Sequence, residues 1–165
     1  MSMDTIEDLL RVNCQCVRFI VPAVPVAQPR QRFRVLKIGN RVIPQNYTPT
    51  KSPVNEFKAV VKMAFRQAYS GPPIDGALRV DWLAVFPRPK SATRKRGPNP
   101  RYPHIKKPDR DNLDKAILDA LKGLAFADDC QVCGGAMAKW VADGDEQPFV
   151  EITISRVTGN EKALG

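Results

Sequence analysis

The chain's 165 residues suffice for one domain with a proper core and are too few for two ordinary ones. Lys and Arg number 26 against 17 Asp and Glu, a formal charge of +9, while 43% apolar residues exclude a disordered basic tail. With one histidine, His104, and no GxSxG elbow, HExxH zinc hydrolases and His-rich metal sites are excluded and a Ser-His-Asp arrangement is unsupported.

In chain order, residues 1 to about 13 read as a short helix or lead-in, with Asp4, Glu7 and Asp8 where a signal peptide would be basic. No stretch approaches the roughly 20 apolar residues of a membrane span, so the expectation is a cytoplasmic protein with reduced cysteines and no membrane partner. Val17 to Val21 reads as a strand, stopped by Pro22, Pro25 and Pro29. Arg30, Arg32, Arg34, Lys37 and Arg41 then lie on an extended or hairpin-like segment around Gly39-Asn40. A helix follows, with Ser52 as its cap, Pro53 in the first turn and Glu56 near the positive end. Val54, Phe57, Val60, Val61, Ala64, Phe65 and Ala68 recur at three and four, the stripe of a core-facing helix, and Gly71-Pro72-Pro73 ends it. Leu78, Val80, Trp82, Ala84 and Phe86 alternate with Arg79 and Asp81, giving a strand with one buried face. Trp82 and Trp140 are expected in the core.

Residues 87–108 hold eight Lys or Arg, six prolines, His104 and no acid, which predicts an irregular basic loop. Its cations Arg88, Lys90, Arg94, Lys95, Arg96, Arg101, Lys106 and Lys107, with Arg110 just beyond, are the candidate nucleic-acid contacts. His104 would touch phosphate, and Tyr102 could stack on a base. A second helix spans roughly Asn112 to Lys122, with Leu113, Ile117, Leu121 and Leu124 on one face and Gly123 as its stop. Gln131–Trp140 and Phe149–Val157 read as two strands joined by a polar turn. The order β-α-β-α-β-β predicts an α+β single domain, a mixed β-sheet with helices on one face.

Charge is distributed unevenly. Residues 9–108 hold 20 of the bases and only three acids, a local +17, while the remaining 6 bases and 14 acids leave −8. Six of those acids fall between Asp109 and Asp129. A basic field beside an acidic cluster suggests a polyanionic ligand and a site that holds cations. Asp109 and Asp111 precede the second helix, and Lys115 follows one turn after Asp111. That helix carries the chain about 16 Å away. An extended return of roughly 20 Å could bring Asp128 or Asp129 back to Asp111. Three carboxylates would then meet beside one lysine, a donor set suited to Mg²⁺ or Mn²⁺. The alternative is ordinary: Asp109 or Asp111 as helix N-cap, Asp114 and Asp119 as surface charges. In a strand only one of Asp128 and Asp129 would face the site, and parity does not say which. A calcium loop fails, because Asp114 and Ala120 stand where glycine and glutamate are needed, and no GxxxxGK[ST] loop exists.

Lys106-Lys107-Pro108-Asp109-Arg110-Asp111-Asn112-Leu113-Asp114-Lys115-Ala116-Ile117-Leu118-Asp119-Ala120-Leu121, followed by Asp128-Asp129-Cys130-Gln131-Val132, resembles the RusA family of Holliday-junction resolvases. Phe86-Pro87-Arg88-Pro89-Lys90 is similar to the strand-to-loop entry of phage members. The resemblance covers roughly Val17 to Val157. It implies an extension over 1–16, a nuclease domain over 17–157 with the basic loop 87–108 inside it, and a tail over 158–165. It further implies a two-fold or intertwined homodimer that nicks four-way DNA junctions at symmetric positions in recombination and repair, with Mg²⁺ (or Mn²⁺) as cofactor and no small-molecule substrate. By motif position, Asp109, Asp111 and Asp129 would be the catalytic, metal-holding carboxylates and Lys115 the essential lysine. Two other readings compete: a non-catalytic basic nucleic-acid-binding protein, and a metal-dependent nuclease acting on another branched DNA or on RNA.

The cysteines form two pairs, Cys14/Cys16 and Cys130/Cys133. Strand-like surroundings would send Cys130 and Cys133 to opposite faces, which favours separate thiols over zinc. Cys130 adjoins a candidate ligand, so its oxidation is expected to impair the site.

Overall fold

The computed structural model describes residues 12–29, 32–47 and 52–158. In chain order the elements are β1 (Val12–Val21), β2 (Arg32–Ile38), β3 (Arg41–Tyr47), α1 (Pro53–Ala68), β4 (Leu78–Phe86), β5 (Tyr102–Pro103), α2 (Arg110–Leu121), β6 (Val132–Gly134), β7 (Met137–Val141) and β8 (Phe149–Val157). Short 3-10 turns form at Lys90–Ala92 and Asp129–Gln131. The helical lead-in expected over 1–13 falls, up to residue 11, outside the described residues, as do Arg30 and residues 159–165.

Strand β4 is central. It pairs antiparallel with β8, placing Trp82 opposite Ile152, and parallel with both β6 and β7. The main sheet runs β1-β8-β4-β7-β5, with β6 also on β4. A parallel neighbour needs a crossover, and α2 provides it between β4 and β6. Alternation along the strands then builds the core on one face of the sheet. Phe19, Val80, Trp82, Ala84, Ile152 and Ile154 meet Val54, Phe57, Val61 and Phe65 of α1 and Leu113, Ile117 and Leu121 of α2. The architecture is thus α+β, a mixed sheet with both helices on one face. No helix among the described residues is long and apolar enough to cross a membrane.

Several boundaries differ from expectation for local reasons. The hairpin β2–β3 forms around Gly39-Asn40, where Gly39 takes φ +59°, and among the described residues its strands pair only with each other. Ser52 holds the N-cap position of α1, yet its hydroxyl caps nothing. The expected strand Gln131–Trp140 is broken into β6 and β7. At the break, Gly135 approaches β4 so closely that a Cβ would lie 1.9 Å from the Val80 carbonyl oxygen. Only glycine admits that contact. The basic loop is more ordered than its prolines suggested, containing the Lys90–Ala92 turn and β5, which pairs with β7.

Candidate active site

Helix α2 begins at Arg110, two residues before the predicted start, so Asp109 is the N-cap and Asp111 lies in the first turn. An acid there faces the positive end of the helix dipole. Asp109 occupies the cap position without forming the side-chain cap bond, which leaves both its carboxylate oxygens to other partners. Helical spacing places Asp111, Asp114, Lys115 and Leu118 along one stripe. These residues, with Arg110, Asp119, Asp129 and Met137, line an open pocket of about 340 Å³. The structure therefore brings Asp111, Lys115 and Asp129 to one cavity. Asp109 is not among the residues lining it and instead lines a second groove with Pro25, Gln28, Lys107 and Asn112.

The return from α2 is not the extended run expected from length. Gly123 takes φ +74° and donates its N–H to the Phe126 carbonyl at 2.7 Å, folding the chain back at once. Asp128 and Asp129 then arrive on a 3-10 turn, so the parity argument for a strand does not apply. Asp128 is the N-cap of that turn, accepting from the Cys130 N–H at 3.1 Å. Gln131 closes a capping box: its Oε1 accepts from Ala127 and Asp128 N–H, and its Nε2 donates to the Ile74 and Gly76 carbonyls. One amide thus satisfies four backbone groups and fixes where Asp129 stands. This gives the glutamine of the Asp-Asp-Cys-Gln-Val run a structural role and distinguishes the two acids: Asp128 holds the turn, Asp129 faces the pocket.

Four residues in or beside the site carried no sequence signal of their role. Lys122 Nζ lies 2.7 Å from Asp128 Oδ2 and 3.1 Å from Asp129 Oδ1. This ammonium holds the Asp128 carboxyl well below the usual range, and the two acids raise the lysine in turn. Trp82, expected only as core, is buried but donates its indole N–H to Asp114 Oδ1 at 2.9 Å. Lys139 of β7 donates to the Lys106 and Pro108 carbonyls at 3.0 and 2.6 Å, anchoring the segment that presents Asp109. Asp119, expected as a surface charge, pairs with Lys58 at 3.0 Å and ties α1 to α2.

The basic loop divides into structural and outward-facing cations. Arg88 donates to the Ala142, Ala92 and Asn99 carbonyls at 3.0, 3.2 and 3.0 Å, and to that of Pro100 at 2.5 Å, and lies over the Tyr102 ring. Arg101 pairs with Glu146 and rests over Phe149. Lys90, Arg94, Lys95, Arg96, Lys106, Lys107 and Arg110 form no ion pair among the described residues, and all seven are exposed. His104 is no free loop residue. It stacks on Phe86 with centroids 4.1 Å apart, and burial first, Lys139 second, push its pKa down.

Cys16 Sγ sits 2.9 Å from Ser155 Oγ, while Cys130 and Cys133 are exposed on the turn and on β6. The Cys130 thiol is pushed up, chiefly by its hydrogen bond to Asp128, and so holds less of the oxidisable thiolate.

Among the described residues no three His, Cys, Asp or Glu stand close enough to hold a metal ion together. Magnesium does not require three, because it commonly takes one or two carboxylates and fills its shell with water and substrate phosphate. Asp111 and Asp129, hard oxygen donors that both line one open pocket, fit that demand.

The family model described as Endodeoxyribonuclease RusA matches residues 22–155. The uncharacterized protein YqaN of Bacillus subtilis (strain 168) is 31% identical over 150 residues, covering 87% of this chain and 98% of that protein. The matched span takes in the whole α2 pocket, the Asp129 turn and the basic loop. The chain belongs to the RusA endodeoxyribonuclease family.

Proposed function

We propose that this protein is a Mg²⁺-dependent, homodimeric endonuclease that resolves four-way DNA junctions by paired symmetric nicks in recombination and repair. The observation that carries the reading is the shared pocket of Asp111, Lys115 and Asp129, lined by the helix that follows a loop of exposed cations in the chain. Phosphodiester hydrolysis needs negative charge on the phosphoryl oxygens neutralised and a water activated, which is the chemistry a bound divalent ion supplies. Asp111 and Asp129 would hold it, with Asp109 reaching in from the N-cap. Lys115, on the same helix face as Asp111, presents its ammonium to a non-bridging phosphate oxygen and offsets charge that grows in the transition state. Arg94, Lys95 and Arg96 meet the backbone of the junction arms, a contact that depends on charge and not on sequence. A two-fold dimer matches a substrate that is itself nearly two-fold.

The test uses purified protein, Mg²⁺ and a labelled four-way junction, with linear duplex and single strand as controls. Paired cuts confined to the junction are expected. Binding without cutting in both Mg²⁺ and Mn²⁺ would overturn the enzyme reading.

A further inference from the structure

The candidate metal site contains a cation of its own. Lys122 is the C-cap residue of α2, and the tight turn at Gly123 returns the chain beside it, with a bridge between Lys122 and Phe126. Two adjacent acids follow immediately, and like charges so close repel. The lysine ammonium bridges them, 2.7 Å from Asp128 and 3.1 Å from Asp129.

The two contacts differ in what else constrains the acid. Asp128 is committed to the turn, because its other oxygen accepts the Cys130 N–H. Asp129 accepts no backbone N–H on its side chain among the described residues, and Lys122 is the cation that engages it. Asp129 also lines the pocket of Asp111, yet among the described residues no three candidate ligands gather there. A carboxylate that must serve a divalent ion is thus occupied by a monovalent one.

We propose that Lys122 is a built-in counter-cation that engages Asp129 in the metal-free site and gives it up when a divalent ion binds. This rests on the metal-dependent nuclease reading above. Asp128 keeps the lysine tethered after the exchange, so the ammonium moves aside without leaving the site. The competition weakens intrinsic metal affinity, and it prevents a bare pair of acids from confronting incoming DNA phosphate. Lys122 is on this account a positioning residue acting through Asp129. A lysine that only oriented a ligand would do the opposite and strengthen metal binding.

The test measures Mn²⁺ affinity of the full chain, without DNA, from the loss of the free-ion electron paramagnetic resonance signal. Lys122→Met keeps the aliphatic stem and removes the charge. It should bind Mn²⁺ about two- to fivefold more tightly than the wild type, the scale expected of exposed ion pairs. In an Asp129→Asn background the same substitution should change affinity by less than about twofold. Unchanged or weaker binding by Lys122→Met overturns the proposal. If neither wild type nor Lys122→Met binds Mn²⁺, the nuclease reading falls and this proposal with it. A second measurement needs no substitution: Mg²⁺ should raise acetylation of Lys122, read by mass spectrometry, while Lys58, paired with Asp119, stays constant. Equal labelling of Lys122 with and without Mg²⁺ also overturns it.

Discussion

The indole N–H of Trp82 on β4 donates to Asp114 Oδ1 on α2 at 2.9 Å, linking the centre of the sheet to the helix that lines the candidate site. The bond satisfies the one polar atom of a side chain only 3% exposed, and it fixes the rotation of α2 about its axis. Trp82→Phe should therefore lower stability by about 1–3 kcal/mol, since a donor disappears and a half-buried carboxylate loses its partner. Asp114→Asn retains an acceptor oxygen and should cost less. Urea midpoints of the three proteins check the order. Equal midpoints would mean the bond contributes nothing.

Asp111 is expected to behave in the opposite way. It accepts no hydrogen bond from other described residues, so Asp111→Asn should leave stability within about 0.5 kcal/mol of the wild type. Single-turnover cleavage of a labelled junction should nonetheless fall about 100-fold or more. Wild-type rates in this variant would remove Asp111 from the chemistry even if the protein proved to be a nuclease.

The loop offers two contrasting substitutions. Replacing Arg94, Lys95 and Arg96 together by Ala should weaken junction binding and reduce its salt dependence by up to about three units of slope. Arg88→Ala removes a side chain that donates to four backbone carbonyls. It should expose the loop to protease, with a change in salt slope of about one unit or less. Binding titrations across a range of salt, with limited proteolysis, separate the two behaviours.

His104 sets a pH dependence whose sign is fixed. Its folded pKa is depressed below the ordinary 6.5, because burial and Lys139 disfavour the charged ring. The unfolded chain then binds the proton first as pH falls. The stability from keeping this ring neutral is fully present above about pH 6.5 and is lost as pH falls from there toward the folded value. Thermal midpoints between pH 8 and 5 should decline for the wild type. His104→Phe preserves the stack on Phe86, and its midpoint should decline less over this window. Parallel curves would exclude the histidine as the source.

Patterns governed by near neighbours are legible in the sequence itself. The alternation Leu78–Phe86 is β4 with the same limits, and the stripe from Val54 to Phe65 is the buried face of α1. The candidate acids and Lys115 were legible too, as residue types at a spacing. Their setting was not. The start of α2 depends on how residues 104–108 are held, and they are held by Lys139, some thirty residues further along the chain. The roles of Asp128 and Asp129 diverge through Gln131, whose partners Ile74 and Gly76 lie on the far side of β4 in sequence. Lys122 looked like any lysine ending a helix. Arg88 and Lys90 read alike as loop cations, and only tertiary carbonyls distinguish them.

The inward-turned Arg88 has a consequence for recognition. A loop with eight cations and no acid would be expected to spread itself apart and to lose that freedom only on meeting a polyanion. Four carbonyls gathered on one guanidinium order the loop when the protein folds. The remaining cations are thus displayed on a preorganised frame, and a bound polyanion meets a surface whose entropy loss has already occurred.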